Sequence, residues 1–517
     1  MKTIKGKVYL VGAGPGDPGL ITEKGIRCIK KADVIIYDFL AAPEHLKFAG
    51  QNTELIYVGK QGGNHTLTQE KINALIVGKA NKGLIVTRLK GGDPFIFGRG
   101  GEEVEKLVKN RIPFEIVPGV SSAIAAPAYA GIPLTHRKFT STLAFVTGHE
   151  DPKKYKSSIN WKALAKGIGT IVFLMGVKNL GHITTQLINN EMSPDTPVAL
   201  IRWGTTNRQF TVSGTLKNIV KRVEKADLKP PAVIVVGDVV KLRELFHWFE
   251  DRPLMGKNIV VTRARAQASA LASTLFELGA NCFECPTIKV VATDNNTPLS
   301  MAVKNISSYK WLIFTSVNGV DFFFKQLFLE KDKSGKSKDV RILGHLKIAA
   351  IGPATAKKLM DFGLICDIVP ESYIAESVVE AFTKENIEGA KILLPRAKKA
   401  RFVLPEQLRK MGAVVDEVTA YCTVEDTDNA EILLEHLEAG EMDLITFTSS
   451  STVENFKAII PSDKFDQILK GVDVACIGPI TADTARNLGF DVNITAKCYT
   501  IPGLCEAIEN YYSDKKI

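Results

Sequence analysis

Short apolar runs alternate with longer amphipathic stretches along almost the whole of this 517-residue chain. "ADVIIYD", "GLIVTRL", "TIVFLMG" and "PAVIVVGDVV" read as strands, and the stretches between them repeat their apolar positions at helical spacing. That alternation predicts an α/β protein. A polar, proline-bearing passage near Asp251–Gly256 interrupts it before a fresh strand, "NIVVTR". A domain boundary belongs there, giving a first domain over 1–250 and a second over 257–517.

Beyond that boundary the pattern repeats. "FTSVNGV" from Phe314 recurs as "FTSSSTV" from Phe447, and Arg263 of "IVVTRARAQ" maps to Arg396 of "ILLPRAKKA", both 133 residues on. "IAAIGPATAKKLMDFGL" returns as "VACIGPITADTARNLGF", where Gly352 maps to Gly478, only 126 residues on, because the first copy carries an extra lysine-rich loop. Two homologous α/β lobes follow. A ligand is expected between them, where loops from strand ends converge.

Composition narrows the class without naming it. The length exceeds what one core supports and suggests about three compact units. No apolar run approaches the roughly 20 residues of a membrane span, and Gly12, Pro15 and Asp17 interrupt any leader-like core near the N-terminus, so a cytoplasmic location is expected. The eight cysteines are scattered. The close pair, Cys282 and Cys285, lacks the second pair or histidines of a zinc site, so reduced, structural thiols are expected. The net charge of +10 suits anionic ligands but also nucleic acid. "GKS" in the lysine-rich loop imitates a phosphate loop, but Glu330 occupies the place of the required upstream glycine.

The N-terminal "VYLVGAGPGDPGLIT" satisfies G-x-G-x-x-G through Gly14, Gly16 and Gly19, with Asp38 at the distance of a ribose-binding acid. Pro15 and Pro18 argue against a nicotinamide loop, since they remove N–H donors where a pyrophosphate needs them. A tight strand-to-helix turn is the plainer alternative. The motifs that follow decide between these: "YDFL", "VGKQGGNHTLTQEKIN", "VTRLKGGDPFIFGRGGEE", "FEIVPGVSSAIAAPAYAGIPLTHR" and "FLMGV", in that order. Together with the loop they resemble uroporphyrinogen-III C-methyltransferase, of the tetrapyrrole methylase family, over about residues 5–241.

The resemblance implies a two-subdomain methylase fold that binds S-adenosylmethionine and releases S-adenosylhomocysteine. It implies cofactor contacts at Pro15, Gly91, Gly92, Asp93, Ile96, Ser121, Ser122, Met175 and Gly204. Ser121 and Ser122 stand where the family often has Thr-Ala, and Gly204 sits in "RWGTT" where members commonly show "NGT". Asp38 is the implied base for the displaced proton and Lys60 the implied acid or carboxylate anchor; the plainer roles are a turn cap and a surface charge. Arg99 is expected to clamp a substrate carboxylate.

The second half holds no phosphate loop, metal spacing or nucleophile elbow, which favours positioning chemistry or a binding module. The ordered set of "VVTRARAQASALASTLFELGANCFECPTIKV", "FTSVNGV", "AAIGPATA", "LLPRAKKARFVLPEQLRKMGAVVDEVTAYCT", "FTSSSTVENF" and "CIGPITADTARNLGF" resembles uroporphyrinogen-III synthase from about Lys257 onward. The resemblance implies a pair of flavodoxin-like α/β lobes joined by a two-stranded connection near "TIKVV" and "AYCTV". Lobe one would cover about 257–288 plus 425–517, and lobe two about 292–418. No cofactor is implied. Tyr421 is the residue implied in releasing the substrate's hydroxyl, and Ser316, Thr355, Ser449 and Thr481 are expected to bind carboxylates, with Arg263 and Arg396 as weaker candidates. Helix capping is the plainer role for the Ser and Thr residues.

The combined expectation is a bifunctional enzyme. It would close hydroxymethylbilane to uroporphyrinogen III and methylate that product twice, giving precorrin-2 on the siroheme and cobalamin branch. Tetrapyrroles would be its partners, without nucleic acid or membrane, and a homodimer would form through the methyltransferase domain. The rival readings are another methylase of the same fold, acting on a later corrin, diphthine or ribosomal RNA, and a non-catalytic second half.

Overall fold

The structure is a computed structural model that describes residues 6–41, 43–59, 67–149, 158–262, 265–332, 335–370, 375–398, 402–425 and 429–515. The chain divides into two compact units, Met1–Lys257 with Leu275–Asn281 and Tyr512–Ile517, and Asn258–Thr274 with Cys282–Tyr511. Among the described residues no helix is long and apolar enough to cross a membrane.

The first unit contains two five-stranded sheets. Strands β1 (Val8–Gly12), β2 (Val34–Tyr37), β3 (Glu54–Tyr57), β4 (Val86–Lys90) and β5 (Phe114–Val117) form an all-parallel sheet in the order β3-β2-β4-β1-β5. Its two faces pack into separate cores. Val8, Leu10, Val34 and Ile36 meet Ile72 and Ile76 on one side, while Val11, Ile35 and Leu89 meet Ile29 on the other. Burial on both faces explains why these strands read as continuous apolar runs. Helix Glu23–Lys31, which covers one face, is capped by Thr22, whose hydroxyl accepts from Gly25 N–H.

The second sheet contains β6 (Leu143–Thr147), β7 (Thr170–Leu174), β8 (Pro197–Arg202), β9 (Phe210–Thr215) and β10 (Ala232–Val236), in the order β6-β7-β10-β8-β9. It is mixed: β10 runs antiparallel to both β7 and β8. Phe173 of β7 and Leu200 of β8 therefore flank the same residue, Ile234, and both strands end at the same edge. That edge carries Met175 and Trp203–Gly204.

The second unit is the expected pair of lobes. Its strands are β11 (Asn258–Val261), β12 (Asn281–Glu284), β13 (Ile288–Ala292), β14 (Trp311–Phe314), β15 (Lys347–Ala350), β16 (Lys391–Ala397), β17 (Val414–Glu425), β18 (Leu444–Phe447), β19 (Asp473–Cys476) and β20 (Ile494–Thr495). One sheet runs β12-β11-β18-β19-β20, the 2-1-3-4-5 order of a flavodoxin-like fold. The other runs β13-β17-β16-β14-β15. The sequence repeat maps β11 onto β16, β18 onto β14 and β19 onto β15, so the repeated strands hold the same order in both sheets. The fifth strand does not survive in the second lobe: where β20 pairs with Ala475, the equivalent segment is a single parallel bridge, Ala349 to Ile368. The connection is the antiparallel pair β13 and β17, from Ile288 opposite Glu425 to Ala292 opposite Tyr421.

Candidate functional site

In the first unit the glycine-rich loops after β1, β4 and β5 interlock at the carboxyl ends of the strands, where open parallel sheets bind ligands. Gly92 N–H donates to Gly14 O at 2.7 Å and Gly14 N–H donates back at 3.3 Å. No side chain fits between these loops: a Cβ on Gly12 would sit 2.5 Å from Gly119 Cα and 2.6 Å from Gly92 O. Asp93 ties them further. Its Oδ1 accepts from Phe95 and Ile96 N–H at 2.8 and 3.1 Å, and its Oδ2 accepts from Gly119 N–H at 3.0 Å. The carboxylate expected to face a ligand thus serves first as a brace, and the Ile96 N–H is likewise engaged.

Of the expected cofactor contacts, Gly92 lies beside Ser121 and Ser122 at the start of helix Ser122–Tyr129, and Gly204 lies against Ala126 within it. Ser121 caps that helix, its hydroxyl accepting from Ala123 N–H at 3.3 Å. A Cβ on Gly92, whose φ is +67°, would find no atom nearer than Ser121 Cα and Ser122 N, both at 3.9 Å, so the space over this turn is open. Gly204 rests against Ala126, where a Cβ would come within 2.3 Å. Gly91 abuts Leu40, in the loop that follows Asp38. Met175 is exposed at the parallel end of β7 and adopts a φ of +58°.

Asp38 ends β2, with Oδ2 accepting from Arg88 Nη2 at 2.9 Å and Oδ1 from Leu40 N–H at 3.3 Å. It is a turn cap and an ion-pair partner at once. Arg99 also adopts a positive φ, and its guanidinium forks onto Glu102 at 3.0 Å. Lys60 lies outside the described residues.

Several residues here carry no sequence signal of their own. Trp203 and Thr205 flank Gly204, with φ of +47° and +73°. Trp203 meets Phe39 edge-on at 6.1 Å between ring centroids, and the Arg208 guanidinium lies over its face at 4.4 Å. Thr205 Oγ1 accepts from Asp17 N–H at 3.0 Å, and Tyr129 OH donates to Asp17 Oδ2 at 2.7 Å. These bonds join the first sheet's opening loop to the edge of the second. His45 is wholly buried and bonds Ala13 O through Nε2 at 2.9 Å, and burial lowers its pKa below 6.5. A signal was available for Arg88 and Lys90. A strand buried on both faces should be apolar, yet β4 reads VTRLK.

In the second unit Ser316 caps helix Val317–Leu329, its Oγ accepting from Gly319 N–H at 3.0 Å, and lies 3.0 Å from the Tyr421 hydroxyl. Tyr421 is only 7% exposed and stacks on Phe322 at 5.7 Å. Thr355 is buried in the first turn of helix Pro353–Met360, which follows β15, the neighbour of the strand β14 that leads to Ser316. In the other lobe Ser449 caps helix Ser450–Ile459 through a capping box with Thr452, and Thr481 is buried in helix Pro479–Asn487. Among the described residues no hydrogen bond joins the two sets. Arg396 is buried and paired with Glu417 at 2.9 Å, so its charge is answered within the lobe. Arg263 lies outside the described residues. The cysteines form no disulfide, and burial pushes the Cys476 thiol up to about 12. Among the described residues no cluster of His, Cys, Asp and Glu is arranged to hold a metal ion.

The tetrapyrrole (corrin/porphyrin) methylase family matches residues 7–220, and the uroporphyrinogen-III synthase HemD family matches residues 269–506. Across both regions the chain is 40% identical, over 492 residues and 95% of each chain, to the porphyrin biosynthesis protein HemD of Ruminiclostridium josui. It is 45% identical over 384 residues to a uroporphyrinogen-III C-methyltransferase of Bacillus subtilis, covering 74% of this chain and 77% of that one. A Thermus thermophilus uroporphyrin-III C-methyltransferase solved with S-adenosylhomocysteine is 38% identical, covering 46% of this chain and all of that one, with a TM-score of 0.40. With such identity sustained over nearly its whole length, the chain belongs to the family that fuses a tetrapyrrole methylase to a uroporphyrinogen-III synthase.

Proposed function

We propose that this chain performs two consecutive steps of tetrapyrrole synthesis. Its second half closes hydroxymethylbilane to uroporphyrinogen III with inversion of one ring. Its first half methylates that product twice from S-adenosylmethionine, giving precorrin-2. The observation that carries the methylase reading is the open turn at Gly92, beside Ser121 and Ser122 at the start of helix Ser122–Tyr129.

The residues present fit the donor. Gly92 leaves room over the Ser122 N–H, the loops are braced by Asp93, and Met175 offers an apolar edge. When bound, S-adenosylmethionine supplies a methyl group on a positively charged sulfur. The chain's part is alignment and proton removal. Asp38 stands at the strand end before Leu40, with Oδ1 held among the described residues only by the long Leu40 contact, and takes the displaced proton there. Lys60 and Arg99 answer substrate carboxylates; for Arg99 this means exchanging Glu102 for the ligand.

For ring closure, the Tyr421 hydroxyl donates to the departing hydroxyl of the substrate, oriented by Ser316. Backbone N–H groups at the helix starts near Ser316, Thr355, Ser449 and Thr481 receive carboxylates. A homodimer through the methyltransferase domain, the absence of a nucleic-acid partner and a cytoplasmic location complete the proposal. The test supplies hydroxymethylbilane and S-adenosylmethionine to the whole protein and identifies the tetrapyrroles formed. Precorrin-2 is expected. Unmethylated uroporphyrinogen III alone would leave only the synthase; uroporphyrinogen I alone would remove the synthase, and supplied uroporphyrinogen III would then decide the methylase.

A further inference from the structure

Strand β4 carries two cations through the middle of a buried sheet. Arg88 and Lys90 are two residues apart and so share a face, and both are almost fully buried. Burying cations is costly unless carboxylates answer them. Glu103, 1% exposed on helix Gly100–Lys109, answers from within. Its Oε1 accepts from Lys90 Nζ at 2.8 Å, Gln69 Nε2 at 3.1 Å and Arg88 Nε at 3.4 Å.

The other side of the guanidinium faces outward. Arg88 Nη1 donates to Ile36 O and Leu89 O at 3.3 and 3.0 Å, and Nη2 to Asp38 Oδ2 at 2.9 Å. The Arg88 side chain is 4% exposed, whereas that of Asp38 is 27% exposed. An ordered line of charges therefore runs from Glu103 in the core, through Arg88, to a carboxylate at the strand ends. Lys90 with Glu103 already forms a neutral buried pair. Arg88 is the extra charge, and its counterpart is Asp38.

We propose that Arg88, gripped by Glu103, is a positioning residue for methyl transfer: it fixes the Asp38 carboxylate so that Oδ1 faces the reacting carbon. This rests on the reading of Asp38 as the base. A planar guanidinium held at three other points, by Glu103, Ile36 O and Leu89 O, fixes the direction in which Nη2 bonds Asp38. A carboxylate on a loop would otherwise sample several rotamers, and misaligned reacting groups lose rate rather than affinity.

The test is a double-mutant cycle on the full-length protein with uroporphyrinogen III supplied, comparing Asp38→Asn, Glu103→Gln and the pair. Methylation kcat, the substrate KM and S-adenosylmethionine affinity are read together. Glu103→Gln alone is expected to lower kcat about tenfold, with KM and cofactor affinity unchanged, and to add no loss in the Asp38→Asn background. Arg88→Lys keeps the charge but not the fork, and should behave alike if the Glu103 variant does not fold. Equal losses in both backgrounds, or kcat and cofactor affinity falling together, would make the network structural and overturn the proposal. If Asp38→Asn leaves kcat intact, the base assignment falls and takes this inference with it. If Asp38→Asn is slow while Glu103→Gln and Arg88→Lys are not, only this inference falls.

Discussion

The two halves hold their candidate sites by opposite means. In the first, loops are forced into place. Eight described non-glycine residues have a positive φ, all of them in this half, and Phe97, Arg99, Met175, Trp203 and Thr205 lie in the loops around the open turn. Each such residue costs about 1–3 kcal/mol and persists only where the surroundings over-determine it. In the second half every positive φ among the described residues belongs to a glycine. Its candidates sit instead on relaxed helix starts, with Ser316 and Ser449 at φ of −165° and −166°. The difference matches the two chemistries. Methyl transfer needs one fixed line of approach, whereas ring closure needs a long, flexible substrate to be gathered and turned.

If that contrast is right, single atoms should matter most where the geometry is fixed. Asp38→Asn is expected to cut methylation by about 10²–10⁴-fold while ring closure proceeds; assays of both activities on one preparation check this. Gly12→Ala pushes a methyl group into the backbone of Gly119 and Gly92. At about 1–3 kcal/mol for overpacking, S-adenosylmethionine affinity measured by calorimetry should drop roughly 10–100-fold, again without effect on ring closure. A normal affinity would mean that the loops are not rigid.

Tyr421→Phe removes one hydroxyl and keeps the ring on Phe322. Loss of a hydrogen bond worth about 1.4 kcal/mol should slow ring closure about tenfold and let spontaneous closure to uroporphyrinogen I compete, while methylation of supplied uroporphyrinogen III is untouched. Product isomer analysis decides it.

The smallest effect concerns pH. His45 is neutral in the fold: Nε2–H donates to Ala13 O, and Nδ1 is buried without a partner among the described residues. Its folded pKa lies below the ordinary 6.5. The stability it contributes is therefore complete above 6.5 and is lost as pH falls beneath it. Stability should decline as pH falls below 6.5, seen as a falling Tm that His45→Gln flattens.

Much of the architecture was legible in the chain. The 133- and 126-residue offsets fix which strands are equivalent, and their sheet order agrees. Pro15 and Pro18 counted against a nicotinamide loop, and the motifs that follow them decided for a methylase. What the chain could not display was partnership. Asp93 reads as a ligand group because its acceptors are visible and its donors, Phe95, Ile96 and Gly119, are mute backbone. Arg88 stands out as a cation in a buried strand, but its partner Asp38, fifty positions earlier, shows only in the fold. The strain at Met175 and Trp203 belongs to backbone angles, which residue types other than glycine do not advertise. The shrinkage of one lobe's fifth strand to a bridge is equally silent, since Ile368 and Ile494 are the same residue type.

The twofold crossing between the lobes sets an order on synthesis. Asn258 at the start of β11 is bonded to Asp443, 185 residues later, whereas the four parallel strands of the other lobe all lie between Trp311 and Glu425. A ribosome therefore releases everything the inner lobe needs while the outer lobe still lacks its central strand. Contacts that close short loops form sooner, and nascent domains fold as they are completed. The inner lobe is thus finished first, and β11 must wait, its edge unpaired, until the last quarter of the chain arrives to cover it.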